Sequence, residues 1–193
     1  RTAGVKPAAR VILEELGLEK KKYFVLVNSN RWLKNSYRAL LAFDRLFSLF
    51  PALEQSVLFL GLEDKRIISR FEKSIRNRDR FVFRGYVERG ELERLYMEAF
   101  CFVYPSLNEG FGYPPLDCMK YGTPVLASAI TSIPEVCGEG AMYFMPASVD
   151  EIMNRILQVT ESEATRQDLS KKGMKVCRSM MKKQDIMLKR LVG

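Results

Sequence analysis

Apolar residues in this chain follow two rhythms. Short apolar runs occur at 23–27, 57–60, 81–83, 100–104, 125–128 (closed by Ser128) and 142–144. A continuous run of four or five apolar residues marks a strand buried on both faces. Between these runs the apolar positions recur every three or four residues, as in Leu40, Leu41, Phe43, Leu46, Phe47 and Phe50, then Ile67, Ile68, Phe71 and Ile75, then Leu92, Leu95, Tyr96 and Ala99. That spacing predicts helices that each bury one face. Further helices are expected at 7–17, ended by Gly17, and at 149–158, with a short helical piece entered through 132–136. Strand and helix alternate almost strictly. The expected fold is therefore an α/β, Rossmann-like three-layer domain, a parallel sheet flanked by helices. In such sheets ligands bind at the carboxyl ends of the strands, so the loops 28–35, 84–87, 105–113 and 128–134 should line one rim.

The densest of these loops runs from Tyr104 through Pro105, Ser106, Glu109, Gly110, Phe111 and Gly112 to Asp117. It leaves a strand, passes two glycines around an aromatic, and enters a helix with Pro114 and Pro115 in its first turn and Gly122-Thr123-Pro124 behind it. Proline is tolerated at the first helical positions because those N–H groups have no intrahelical partner. The remaining orphan N–H groups favour an anion or a polar ligand. Glu109 stands before the glycines and Asp117 after them.

Composition narrows the chemistry. The 193 residues carry 31 Lys/Arg and 23 Asp/Glu, a net +8. Nine of the basic and two of the acidic residues lie in 164–193, so the charge belongs to the tail, which argues against a nucleic-acid-binding domain. The absence of histidine excludes His-based triads, His-ligated metals and histidine general bases. Cys101, Cys118, Cys137 and Cys177 form no CxxC pair, which suits reduced, mostly buried thiols in the cytoplasm. No apolar run approaches the ~20 residues of a membrane helix, and no signal-peptide pattern opens the chain. The division expected is a ligand-binding domain over 1–163 and a basic amphipathic helix over 164–193. That helix carries Leu169, Gly173, Val176, Met180, Met187 and Leu191 at helical spacing. It would pack on the domain or on an absent one, or dock on anionic lipid through lysines beside methionines.

The motif Pro105-Ser106-x-x-Glu109-Gly110-Phe111-Gly112, with Asp117 eight positions after Glu109, resembles the donor-binding half of a family 4 retaining glycosyltransferase of the two-domain GT-B architecture. Gly122-Thr123-Pro124-Val125 and Ile133-Pro134-Glu135-Val136 follow in the family's order, and the resemblance covers about residues 23–160. The family pattern is two acids separated by seven residues. Asp117 stands where the family has Glu, keeping the carboxylate with a reach one methylene shorter.

The resemblance implies that Glu109 holds hexose hydroxyls and that Asp117 holds the ribose. Arg31 and Lys34 would face the departing diphosphate in place of an obligatory metal, at a spacing of three that is shorter than the family's commoner one. Gly110, Phe111, Gly112, Leu116 and, beside the base, Val87 would complete the donor site. Glu135 would cap a helix start. Carboxylates suit paired hydroxyl donors, and fixed cations lower the barrier to a leaving group that gains negative charge. Taken singly, Glu109 reads as a solvated loop residue, Asp117 as a complement to a helix dipole, and Arg31 with Lys34 as a solvated basic loop. The glycines and prolines at matching spacing are what join them.

The implied function is retaining transfer of a glycosyl group from a nucleoside-diphosphate sugar to an acceptor, in bacterial surface polysaccharide or glycolipid synthesis. The implied partners are the nucleotide-sugar and an N-terminal acceptor-binding domain of the same chain, with peripheral contact at the inner face of the membrane and no nucleic acid. No cofactor or metal is expected. The alternative is a non-catalytic sugar-nucleotide-binding module or subunit of a larger assembly. An epimerase of the same architecture is disfavoured by the lack of histidine. On this reading the chain is a piece of a protein about twice as long.

Overall fold

A computed structural model describes the backbone of residues 8–192 and the side chains of residues 12–183. Six strands form a single parallel sheet: β1 (Tyr23–Leu26), β2 (Ser56–Leu60), β3 (Phe81–Arg84), β4 (Cys101–Tyr104), β5 (Val125–Ser128) and β6 (Ala141–Phe144). Their spatial order is β3-β2-β1-β4-β5-β6. The register runs without a slip, with Phe24 opposite Val57 on one side and opposite Cys101 on the other.

Side chains alternate across a strand, and β1 shows the consequence. Tyr23 and Val25 enter one core, Phe24 and Leu26 the other. The first core lies under α1 (Ala8–Glu15), α4 (Arg89–Glu98), α5 (Tyr113–Met119) and α6 (Ile133–Cys137). The second lies under α2 (Ser36–Leu49), α3 (Lys65–Lys73) and α7 (Val149–Glu161). Continuous apolar runs are thus what a strand covered on both faces requires. The second core is dominated by aromatic rings, with Phe24 and Phe43 at 4.9 Å between centroids and Phe59 and Phe83 at 5.5 Å.

The last helix, α8 (Glu163–Val192), packs back across the domain. Leu169 and Cys177 are buried, and Val176 and Met180 rest partly buried against the first core. Gly173 sits close to Gly140, near enough that a Cβ on Gly140 would lie 2.9 Å from the Gly173 Cα. Met187 and Leu191 of the expected apolar stripe lie outside the described side chains, and Pro7 lies outside the described backbone. All four cysteines are free and buried. No helix among the described residues is long and apolar enough to cross a membrane.

Between β1 and β4 the strand order reverses. The chain leaving β1 turns into α2 on one face, and the chain leaving β4 turns into α5 on the other. Diverging connections open a crevice at that point, which is where open parallel sheets hold their ligands.

Candidate functional site

The crevice is built from two loops tied to each other. After β1 the chain makes a 3-10 turn, Trp32–Lys34, and ends it at Asn35 in the left-handed region, φ 56°. Asn35 is buried, and its amide donates to the carbonyls of Pro105 (3.0 Å) and Pro146 (2.7 Å). The Leu107 N–H donates to the Leu33 carbonyl at 2.7 Å. The loop after β1 and the loop after β4 therefore move as one body. From the other side, Ser132 donates to the carbonyls of Glu109 and Phe111, both at 3.1 Å.

This clamp brings Lys34 and Glu109 into a direct ion pair. Only 11% of the lysine side chain and 13% of the glutamate side chain remain exposed. The Lys34 ammonium also donates to the Tyr104 hydroxyl at 2.8 Å and lies 5.0 Å from the centre of that ring. Ser106 donates to the same Glu109 oxygen at 2.5 Å. Burial pushes the Glu109 carboxyl upward. Hydrogen bonds from Lys34, Ser106 and Tyr104 outweigh that push and hold it below the usual carboxylate range. The Tyr104 phenol is pushed up by burial and by its bond to Glu109, so it stays neutral. The result is an ionised acceptor and a cation side by side, nearly buried between the two loops.

The two glycines differ. Gly112 has φ +101° and starts α5 from a conformation that L side chains rarely adopt. Gly110 has no such backbone, and a Cβ there would meet nothing within 4 Å. The fold demands glycine at 112 and leaves 110 unconstrained. Phe111 rests partly buried on the first core, its ring 4.6 Å from that of Tyr113. Helix α5 has seven residues, so its dipole is small and the charge of an anion in the crevice has to be met by side chains.

Asp117 stands one turn into α5 and lines a cavity of about 340 Å³ with Arg89, Tyr113 and Lys120. Burial raises its carboxyl above the ordinary value, and Arg89 and Lys120 oppose that rise without cancelling it. Neither Lys34 nor Glu109 lines this cavity. Val87 and Leu116 are each 7% exposed and pack into the first core. Beside Val87, Tyr86 is 72% exposed, and its N–H is held by Glu63 at 2.7 Å. Arg31 precedes the 3-10 turn with extended backbone, φ −95° and ψ 127°. It lines a separate cavity that neither Lys34, Glu109 nor Asp117 borders. Glu135 is exposed in the first turn of α6, whose cap is Ser132 without a side-chain bond. Glu135 thus occupies the third position of α6, where an acid complements the helix N-terminus.

Sequence reasoning assigned no role to Tyr104, Ser106, Asn35 or Ser132. Ser106, three residues before Glu109, was in reach of inspection. The partners of Asn35 are 70 and 111 positions away, and no local pattern signals them. Among the described residues, no group of three or more Cys, Asp or Glu is placed to hold a metal ion.

The family model for Glycosyl transferases group 1 matches residues 10–176. O-antigen chain mannosyltransferase B of Escherichia coli is 42% identical over 90 residues, 47% of this chain and 24% of that protein. O-antigen chain mannosyltransferase RfbU of Salmonella typhimurium is 33% identical over 141 residues, 66% of this chain and 35% of that one. A solved sucrose-phosphate synthase from Thermosynechococcus elongatus superposes with a TM-score of 0.76 at 22% identity, over 93% of this chain and 48% of its own, and shares the fold. The chain spans less than half the length of each of these proteins. Its six-stranded parallel sheet corresponds to one half of a GT-B glycosyltransferase, and with the family model spanning most of its residues the chain belongs to the glycosyl transferases group 1 family.

Proposed function

We propose that this chain is the donor-binding half of a family 4 retaining glycosyltransferase that transfers a hexose from a nucleoside diphosphate to a growing surface polysaccharide. The observation that carries the reading is the Lys34–Glu109 ion pair at the strand-order reversal, backed by Ser106 and Tyr104. The ion pair is the resting form of a site with two tasks. When donor enters, the β-phosphate takes the Lys34 ammonium, and the hexose hydroxyls donate to the freed lone pairs of Glu109. Charge that builds on the diphosphate as the glycosidic bond breaks is then met by a fixed cation in a partly dry crevice. Gly110 leaves room for the sugar, and Gly112 turns the chain into α5. Asp117, around the corner, receives the ribose hydroxyls, and exposed Tyr86 flanks the base beside Val87.

The names of the relatives in Escherichia coli and Salmonella point to mannose as the sugar and to O-antigen-like polymers as the product. The acceptor site belongs to the rest of the longer protein. Contact with the inner face of the membrane and a cytoplasmic location belong to the same proposal.

A thermal-shift panel of UDP-, GDP- and ADP-sugars tests it. One nucleotide should stabilise the chain by about 2.7 kcal/mol at 100 times its dissociation constant, with the mannosyl form favoured over glucosyl. Glu109→Ala should erase discrimination between sugars and leave the bare nucleotide bound. Equal loss of both would remove Glu109 from the sugar's recognition.

A further inference from the structure

A second cavity, of about 730 Å³, opens on the opposite face of the sheet rim, between the start of α2 and the flank of α3. Its charge is one-sided. Arg31, Arg38 and Arg70 line it, and no carboxylate does. Trp32 and Tyr37 supply aromatic walls, and Trp32 is 77% exposed. The arginines are partly arranged already. Arg38 donates to the Asn35 side-chain oxygen at 2.9 Å, and the Arg70 guanidinium lies 5.9 Å from the centre of the Tyr37 ring. The Tyr37 hydroxyl donates to Ser74 at 3.0 Å, which fixes that ring between α2 and α3.

Two further features converge here. Helix α2 is fourteen residues long and has no side-chain cap, since the Asn35 side-chain oxygen accepts from Arg38 rather than from a helix N–H. Ser36, Tyr37 and Arg38 of its first turn line the cavity, and the first N–H groups of a helix lack intrahelical partners. Ser29, 4% exposed, also lines the cavity, and its hydroxyl is buried with no hydrogen-bond partner. A buried hydroxyl left unpaired is uncommon and costly. Guanidinium forks, an uncapped helix start and a free hydroxyl are the donor set that phosphate oxygens satisfy.

We infer that this cavity binds the phosphate group of a small phosphate-bearing molecule, at a site separate from Lys34, Glu109 and Asp117. The inference stands independently of the proposed donor site.

Trp32 is the chain's single tryptophan, so its fluorescence reads the site directly. The probes are inorganic phosphate, a hexose 1-phosphate, and vesicles of phosphatidylglycerol against phosphatidylcholine, all at matched ionic strength. A saturable change with either soluble phosphate supports the site and assigns it a soluble ligand. A change with phosphatidylglycerol vesicles alone supports it and assigns a lipid headgroup. Arg38→Gln and Arg70→Gln, both at exposed positions, should each weaken binding about ten-fold or more, and Ser29→Ala several-fold, with melting temperatures within a few degrees of the parent. Lys34→Gln, at a residue that does not line this cavity, should leave the response intact. The inference is overturned if no probe gives a saturable response or if both arginine variants bind as the parent does. It is equally overturned if Lys34→Gln, still folded, abolishes the response, which would place the phosphate in the donor crevice.

Discussion

The Glu109 carboxylate is set by two opposed effects, and its titration is where they separate. Burial alone would raise it, yet Lys34, Ser106 and Tyr104 hold it below its ordinary value of 4.5. A carboxyl depressed in the folded state stabilises the fold above its unfolded value and loses that contribution as pH falls through the folded one. The stability gap between the parent and Glu109→Gln should therefore be constant from pH 7 to 5 and shrink as pH drops below about 4.5. Chemical denaturation of both proteins across that range checks it, and a gap independent of pH would mean that the ion pair adds nothing. Asp117 moves the other way, raised by burial. Ribose hydroxyls that hydrogen-bond its charged form would lower it again, so donor binding near pH 5 should release a fraction of a proton. Calorimetry in two buffers of different ionisation enthalpy measures that release, and none would be seen if Asp117 stays clear of the nucleotide. The glycines give a third contrast. Gly112→Ala should cost about 1–2 kcal/mol of stability, because its φ of +101° penalises a Cβ. Gly110→Ala should leave stability within about 0.5 kcal/mol and weaken sugar binding, since the space beside it is open in the fold.

At the scale of elements, two helices carry most of what is specific here. Helix α5 was legible from its prolines and from Gly112, because those residues fix local backbone whatever surrounds them. Its weak dipole was not, since length depends on where α5 runs into the turn before β5. Helix α8 was legible as a helix by its spacing, and the structure seats its first half on the domain through Leu169, Gly173 and Cys177. The seat is tight where α8 crosses the turn at Gly138–Gly140. A Cβ on Gly140 would meet the Gly173 backbone at 2.9 Å and Met119 at 3.1 Å. Backbone cannot yield as a side-chain tip can, so Gly140→Ala should destabilise the chain by about 1–3 kcal/mol, a fall of several degrees in melting temperature. An unchanged melting curve would show that α8 lies more loosely than this.

For the whole molecule, the excess charge and the crevice lie in different parts of the chain. The net +8 is concentrated in the residues that form α8, while the crevice itself sets one lysine against one glutamate. The chain covers 48% of the sucrose-phosphate synthase it superposes on. Under the proposed function this chain alone should bind the donor and transfer no sugar. Radiolabelled transfer to an acceptor should appear only with the longer protein, and full activity from residues 1–193 would overturn the division.

Sequence by itself settled what depends on neighbours within a few positions. Unbroken apolar runs require strands covered on both faces, and glycine and proline spacing requires a loop that enters a helix. These are short-range steric and solvation constraints, so the α/β class and the central motif could be read directly. Tertiary structure decided which of those pieces meet. Arg31 and Lys34, three positions apart, diverge because one is extended and the other sits inside a 3-10 turn. Lys34 and Glu109, 75 positions apart, join because the strand order brings β1 beside β4 and Asn35 locks their loops together. Strand order and buried cross-links are collective outcomes of packing the two cores, and no local stretch of sequence contains them.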